Sequence, residues 1–241
     1  MSEQKISGLV LRAINYGDRD KILTVICPEL GKISLIMRGV RAEKAKMKFA
    51  AGVFCFAEYC LAKTGDMWLV TGANEIESFY AISQSAEKLK YASAVVELAD
   101  KASVLSEQNV SLFLLSVKTL KAIAYGRAVP QLVFLKFCIE LFNLSGYRLS
   151  AKVCSCCNAP LLDRSFFNAE TGAITCPLCK TPYSTEIGRG AVGVLRNLIE
   201  LSLEQLENYS AGSGFVTELE RFLTENIKER FSCTLKSLTI L

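Results

Sequence analysis

Residues 154–160 read CSCCNAP and residues 175–180 read TCPLCK, and this pair of motifs decides how the second half of the chain folds. They contain two Cys-x-x-Cys pairs with 18 residues between them: Cys154 and Cys157, then Cys176 and Cys179. Each Cys-x-x-Cys turn points two thiolates at one spot. Two such turns complete a tetrahedron of soft sulfur ligands, which suits Zn²⁺. The spacing therefore predicts a four-cysteine zinc module at residues 154–179.

The predicted zinc ion has a structural role. Four thiolates leave no open coordination position, so the ion would not act as a Lewis acid. Cys156 lies inside the first pair, and we interpret it as a spare thiol because Cys154 and Cys157 give the better turn geometry. Three other interpretations of these cysteines stay open, namely an iron–sulfur cluster, thiols without a metal, and disulfides.

The composition indicates a globular protein, and the sequence lacks residues and motifs that many enzymes use. Apolar residues make up 51 % of the 241 residues and charged residues 22 %, enough for one large domain or two modest ones. The chain contains no histidine, which removes the usual general base and any mixed Cys/His metal site. It also lacks a G-x-x-x-x-G-K-[ST] phosphate loop. An enzyme therefore stays possible, but the residues that the common catalytic chemistries need are missing.

The sequence predicts a cytoplasmic location. No run of about 18 uncharged apolar residues suggests a membrane span. The first five residues, MSEQK, lack the basic region followed by an apolar block that a signal peptide needs. In the cytoplasm the remaining cysteines would be reduced and would serve as small core residues. These are Cys27, Cys55, Cys60, Cys138 and Cys233.

The first 80 residues predict a small β-barrel. Five apolar or alternating segments are separated by turn signals that contain glycine or proline. The predicted strands are Lys5–Ile14, Asp20–Cys27, Lys32–Met37, Val53–Ala62 and Met67–Thr71. Five short strands with a basic insertion after the third favour the OB fold over residues 1–80, and OB barrels bind single strands of nucleic acid along one face.

Residues 81–241 predict an all-α domain into which the zinc module is inserted. From about residue 83 the apolar residues recur at helical spacing. The predicted helices are one around Leu89–Ala99, then Val110–Tyr125, Pro130–Leu144, Gly190–Glu207 and Gly214–Arg230. The fold class is therefore α+β, with the barrel followed by a helical domain.

A basic segment connects the third and fourth strands. Residues 38–48 hold five basic residues against one acid, Glu43. The segment could neutralise nucleic-acid phosphates, or it could be a solvated loop. The net charge is +2 over residues 1–80, +4 over 81–153 and −2 over 186–241, so a polyanion should meet the N-terminal two-thirds.

The candidate DNA-binding residues combine this segment with two earlier arginines. They are Arg12, Arg19, Arg38, Arg41, Lys44, Lys46 and Lys48. Six barrel aromatics are candidates for base stacking, although alternate strand positions place most of them in the core. These are Tyr16, Phe49, Phe54, Phe56, Tyr59 and Trp68.

Four N-terminal segments together resemble the N-terminal signature of the RecO family of DNA repair proteins. They are GLVLR at residues 8–12, YGD at 16–18, GKISL at 31–35 and RGVR at 38–41. The cysteine pairs, with Phe167 and Gly172 between them, are similar to the zinc segment of that family. One departure is Asn158, where the family often has glycine. Asparagine tolerates left-handed backbone geometry, so we expect the turn to survive.

The resemblance implies an N-terminal OB fold and a zinc-carrying helical domain in a protein that is not an enzyme in the usual sense. RecO proteins bind single- and double-stranded DNA and anneal complementary strands. Together with RecR they help to load RecA onto strands coated by single-stranded DNA-binding protein, whose acidic C-terminal tail docks on the helical domain. The implied partners are therefore DNA, RecR and that tail, with RecA reached indirectly, no membrane, and a location at the nucleoid.

Three other functions remain open on the sequence. A zinc-ribbon RNA-binding or transcription factor would share the barrel and the cysteines but prefer RNA. A redox enzyme would use the Cys-x-x-Cys pairs as reversible disulfides. A scaffold without affinity for nucleic acid would leave the basic segment merely solvated.

Overall fold

The computed structural model describes residues 3–65, 67–161 and 164–239. The chain divides into two compact units, Met1–Ala124 and Tyr125–Leu241. The first unit contains the predicted barrel, and the second contains the cysteine motifs. The predicted assignment of folding domains, 1–80 and 81–241, stays a prediction. Within the described residues, none of the helices has the length and the apolar content that a membrane span requires.

The first unit contains a closed barrel of five strands, which confirms the predicted OB fold. The strands are β1 (Glu3–Tyr16), β2 (Asp20–Cys27), β3 (Gly31–Met37), β4 (Phe56–Thr64) and β5 (Met67–Glu77). Their order around the barrel is β1-β2-β3-β5-β4. The pairing of β3 with β5 is parallel, whereas all other neighbours are antiparallel.

Strand β1 closes the barrel because it pairs on both sides. Its first half pairs with β4 and its second half with β2, and Leu9 has a partner on each. The register shifts between Val10 and Arg12, where a bulge bends the strand. Inside the barrel, the buried hydroxyl of Tyr59 donates to the carbonyl of Ala50 at 2.8 Å. Burial raises the pKa of this phenol far above its usual range.

Two helices complete the first unit, α1 (Ala86–Ala102) and α2 (Val110–Tyr125). The side chain of Ser85 caps α1 by accepting from the backbone N–H of Lys88 at 3.4 Å. Helix α1 is tied to the barrel by Lys32, whose Nζ donates to the Asp100 carbonyl at 2.7 Å and to its Oδ1 at 3.2 Å. This contact places the last turns of α1 against the outer surface of β3.

Gly31 is required where the β2–β3 turn meets the segment before α2. Its φ is +71°, and a Cβ built there would lie 1.9 Å from the Glu107 carbonyl oxygen. We expect Gly31→Ala to lower the free energy of unfolding by about 3 kcal/mol, because left-handed strain adds to a backbone clash. Gly17→Ala is the matched control: φ is +55° with nothing within 4 Å of a Cβ, so strain alone should cost about 1 kcal/mol. Equal losses in chemical denaturation would contradict this account.

The second unit combines three helices with a small sheet. The helices are α3 (Pro130–Leu144), α4 (Arg189–Glu200) and α5 (Ser213–Phe231), and the strands are β6 (Ser165–Asn168), β7 (Ile174–Thr175) and β8 (Ser184–Ile187). The sheet order is β7-β6-β8, and both pairings are antiparallel. Helix α3 is buried without interruption from residue 132 to residue 139. Phe167 on β6 packs against Phe222 on α5, with 5.3 Å between ring centroids.

Three predicted elements are wrong in extent. The fifth strand runs to Glu77 and not to Thr71. The helix predicted over Gly190–Glu207 ends at Glu200, because Ser202 and Gln205 cap a separate turn. The Ser202 N–H donates to Gln205 Oε1 at 2.8 Å, and the Gln205 N–H donates to Ser202 Oγ at 3.3 Å. The fourth strand starts at Phe56 and not at Val53, because Phe54 has a φ of 74°. Strands of two to four residues around the cysteines were not predicted.

Candidate metal centre and nucleic-acid interface

The four predicted ligands lie together in the second unit. The Sγ atoms of Cys154, Cys157, Cys176 and Cys179 all lie within 4.8 Å of one another. The Cys157 and Cys176 sulfurs are 3.9 Å apart. Four sulfurs at such distances can surround one metal ion. All ten cysteines lie within the described residues and are free thiols, so no disulfide among them takes the place of a metal site.

Two tight turns and a small sheet bring the thiols together. The Asn158 N–H donates to the Cys154 carbonyl at 3.0 Å, and the Cys179 N–H to the Cys176 carbonyl at 3.1 Å. Asn158 has a φ of 60°, which confirms that asparagine takes the left-handed position in the first turn. The Ser155 N–H donates to the carbonyl of Ile174 on β7 at 2.9 Å, so the sheet fixes the first turn beside the second.

The environment of Cys154 favours its thiolate. Its side chain is fully buried, and burial alone would raise its pKa. Backbone N–H groups of Cys157, Cys176 and Cys156 oppose burial and lower the pKa to about 6. One of these bonds runs from the Cys176 N–H to Cys154 Sγ at 3.4 Å. A thiolate is the form that binds a metal, so Cys154 is prepared for a soft cation, whereas the neighbouring Cys157 thiol raises the pKa of Cys179. Cys156 is exposed and lies outside this group of four.

Two residues of α5 anchor the turn between β6 and β7, and sequence reasoning missed both. The buried Asn226 amide donates to the Ala169 carbonyl, and Arg230 Nη2 donates to the Thr171 carbonyl. The Asn226 Oδ1 accepts from Arg230 Nε at 3.2 Å, and the guanidinium lies 3.8 Å from the centroid of the Tyr147 ring. They lie more than 50 residues from the turn, so no local motif could reveal them.

Residues 188–193 read GRGAVG, which has the G-x-G-x-x-G spacing of a dinucleotide-binding motif between β8 and α4. The geometry does not fit a phosphate. The Gly188 N–H donates to Glu218 Oε1 at 2.8 Å, so a carboxylate already occupies this helix end. A Cβ on Gly190 would lie 2.4 Å from the Phe215 ring, and β8 pairs only antiparallel within the described residues. Gly188 and Gly190 therefore serve the close packing of α4 on α5, whereas a Cβ on Gly193 would meet nothing within 4 Å.

All seven predicted DNA-binding residues are exposed. Three hydrogen bonds join the β1–β2 turn to the start of the basic segment. The Arg41 N–H donates to the Arg19 carbonyl at 2.9 Å, and Arg41 Nη1 to the Gly17 carbonyl at 2.9 Å. The Gly39 N–H donates to Asp20 Oδ1 at 2.7 Å. The structure thus brings Arg19 beside the start of the segment at Arg38 to Arg41, which the sequence could not show.

The remaining basic residues extend from this point. Arg12 lies on β1, opposite Thr24 on β2. Lys44 and Lys46 lie in the turns that follow Arg41, and Lys48 begins a short 3-10 helix. The segment thus connects β3 with β4, as the sequence predicts. Contact of these residues with DNA stays a prediction.

The six aromatic candidates differ in burial: one is buried, two are exposed, and Phe54, Phe56 and Trp68 are partly buried. Tyr59 is fully buried, and Phe56 packs edge-on against Phe113 of α2 at 5.7 Å between centroids. Tyr16 and Phe49 are 54 % and 43 % exposed, and they flank the basic residues in sequence. These two rings are the aromatic side chains best placed to meet a base.

Comparison with known proteins extends over nearly the whole chain. The family model for the N-terminal part of recombination protein O matches residues 1–79, and the model for its C-terminal part matches residues 83–239. The chain belongs to the RecO family. Membership assigns the protein to DNA repair and recombination, and it agrees with the barrel and the helical, cysteine-bearing second half.

Relatives of the RecO family show the same extent of similarity. The DNA repair protein RecO of Dehalococcoides mccartyi strain 195 is 30 % identical over 226 residues, covering 93 % of this chain and 89 % of the relative. The DNA repair protein RecO of Desulfitobacterium hafniense strain DCB-2 is 31 % identical over 205 residues, covering 83 % of this chain and 74 % of the relative. That of Acetivibrio thermocellus is 25 % identical over 232 residues, covering 95 % and 92 %.

Proposed function

We propose that the protein is a recombination mediator that binds single- and double-stranded DNA and anneals complementary strands. One combined observation supports the proposal. The chain matches both RecO family models, and its first unit presents seven exposed basic side chains. Side chains of this kind neutralise phosphates and release counterions, whatever the base sequence.

Annealing follows from charge neutralisation and needs no bond cleavage. Two complementary strands repel each other through their phosphates. A basic surface that holds both strands lowers this repulsion and leaves the bases free to pair. The protein is therefore proposed to act without catalysis, in agreement with a sequence that lacks histidine.

The metal is proposed to be a structural Zn²⁺ ion. The ligands would be Cys154, Cys157, Cys176 and Cys179, whose sulfurs already lie within 4.8 Å of one another. Zinc would cross-link the two turns and hold the β6–β8 sheet against α5. The same four sulfurs leave no position for a substrate, so the ion would stabilise the second unit only.

The proposed partners follow from the RecO family. Together with RecR the protein would help to load RecA onto strands coated by single-stranded DNA-binding protein. The acidic tail of that coating protein would dock on the helical part, so RecA would be reached indirectly. The proposed location is the cytoplasm, at the nucleoid.

Annealing without nucleotide tests the proposal. We expect the purified protein to accelerate pairing of two complementary oligonucleotides by about tenfold or more in the absence of ATP, because it concentrates both strands on one basic surface. Pairing is followed by fluorescence energy transfer between labelled strands. An absolute requirement for ATP would contradict the proposal, and preferential binding of RNA over DNA in competition would favour the RNA-binding alternative.

A further inference from the structure

The outer surface of the barrel carries an apolar row. Cross-strand pairing aligns one aliphatic side chain from each of four strands, β1, β2, β3 and β5. We call these residues the aliphatic row: Ile14, Ile22, Ile36 and Leu69. Ile14 is 42 % exposed, and the other three are partly exposed. The row therefore crosses four strands of the barrel surface.

The aliphatic row faces away from the barrel interior. Its neighbours Ala13, Leu23 and Leu35 pack in or against the interior core. Successive side chains of a strand point to opposite faces, so the residues beside them point outward. The outward face of an antiparallel sheet is expected to be polar where it meets water. An apolar row at this position therefore indicates a binding surface for a ligand with apolar groups.

Helix α1 contacts the barrel at a different level from the aliphatic row. Two outward levels away along the strands, Leu9 and Ile26 also lie outside the interior core, but both are 0 % exposed. At that level Lys32 is bound to Asp100 of α1. The next outward level holds the exposed Arg12 opposite Thr24, and the aliphatic row follows it. The cover provided by α1 therefore ends before the aliphatic row.

Cationic side chains border the row on both sides. Arg12 precedes Ile14 by two residues, a distance of about 7 Å along a strand. On the other side lie the exposed Arg19 and Arg38, at the ends of the β1–β2 turn and of β3. Asp18 is also exposed there, whereas the Asp20 carboxylate accepts the Gly39 N–H. Arg41 adds a third cation at this border, because its guanidinium bonds the Gly17 carbonyl, so cations outnumber acids at both borders.

We propose that the aliphatic row is the surface on which the bases of single-stranded DNA lie, while Arg12, Arg19 and Arg38 meet the phosphates on either side. The inference rests on the proposed DNA-binding function of the barrel. Single strands combine an anionic backbone with exposed apolar base faces, which matches a row of this composition. A duplex stacks its bases inside, so it can use the arginines but not the row.

The test compares how a substitution changes the affinity for single-stranded DNA and the affinity for duplex DNA. Ile14→Thr, Ile22→Thr and Ile36→Thr together keep β-branched residues in the strands and remove apolar surface. We expect the affinity for labelled oligothymidine to fall about tenfold, with duplex affinity and the salt slope unchanged. Fluorescence anisotropy measures both, and thermal melting verifies the fold. If the triple variant unfolds, Ile14→Thr alone is used, with an expected loss of about threefold.

The matched control is Ile76→Thr. Ile76 is 51 % exposed on β5, seven residues from Leu69, and its change should affect neither ligand. Equal losses for single strands and duplex, or no loss for either, would overturn the inference; the second result would assign the row to another partner, such as a protein. If the unchanged protein binds no DNA at all, the proposed function itself fails, which is a different result.

Discussion

Replacing Arg38, Lys44, Lys46 and Lys48 by glutamine is expected to weaken binding of single-stranded DNA by about 500-fold at 0.1 M salt. Each phosphate contact to a single strand contributes about 0.7 to the slope of log K against log salt, so four lost contacts remove about 2.8 units. The slope should become shallower by the same amount. Arg41 is left in place because its guanidinium bonds the Gly17 carbonyl and supports the β1–β2 turn.

A second quadruple variant supplies the control for net charge. Glutamine at Lys101, Lys118, Lys121 and Arg127 changes the charge by the same amount at exposed positions outside the basic segment. Its affinity for single-stranded DNA should stay within about threefold of that of the unchanged protein, and its salt slope should differ by no more than about 0.7. Equal weakening by both variants would show that net charge, and not the basic segment, determines DNA binding.

Replacing Cys154 by serine is expected to release the metal and to destabilise the second unit by more than about 4 kcal/mol, which lowers its Tm by roughly 15 °C. Among the four proposed ligands Cys154 is the fully buried one, and its sulfur accepts the Cys176 N–H. Loss of the ion would separate the two turns and expose the sheet that carries Phe167. Metal analysis and calorimetry measure the two effects.

Cys156→Ser is the matched control, because this thiol is exposed and lies outside the ligand group. It should retain about one equivalent of zinc and an unchanged Tm. Binding of oligothymidine by the barrel should survive in both variants, since the proposed ion acts on stability alone. If Cys156→Ser loses the metal and Cys154→Ser retains it, the assigned ligands are wrong.

The barrel was predictable from the sequence because its signals are local. Alternating strands and turns with Gly17 and Gly31 lie within a few residues of one another. The parallel pairing of β3 with β5 was not predictable, because it joins segments separated by the whole basic insertion and β4. Likewise, the end of α4 depends on the reciprocal bonds of Ser202 and Gln205, which compete with the apolar periodicity that predicted a longer helix.

The cluster of four cysteines was predictable for the same reason and only to the same extent. Two Cys-x-x-Cys turns carry their own geometry, so the proximity of the four thiols follows from spacing. The contacts that support the cluster do not follow from spacing, because Asn226 and Arg230 bind the β6–β7 turn from a distant helix. The link between Arg41 and Gly17 and the alignment of the aliphatic row also depend on tertiary pairing, which single-sequence patterns do not contain.

The most direct test of DNA binding by the barrel is a salt titration of the unchanged protein with labelled oligothymidine. Five to seven phosphate contacts predict tight binding at low salt and a slope of log K against log salt of about −3 to −5. No binding at low salt, or a slope near zero, would contradict the account, whatever metal the cysteines hold.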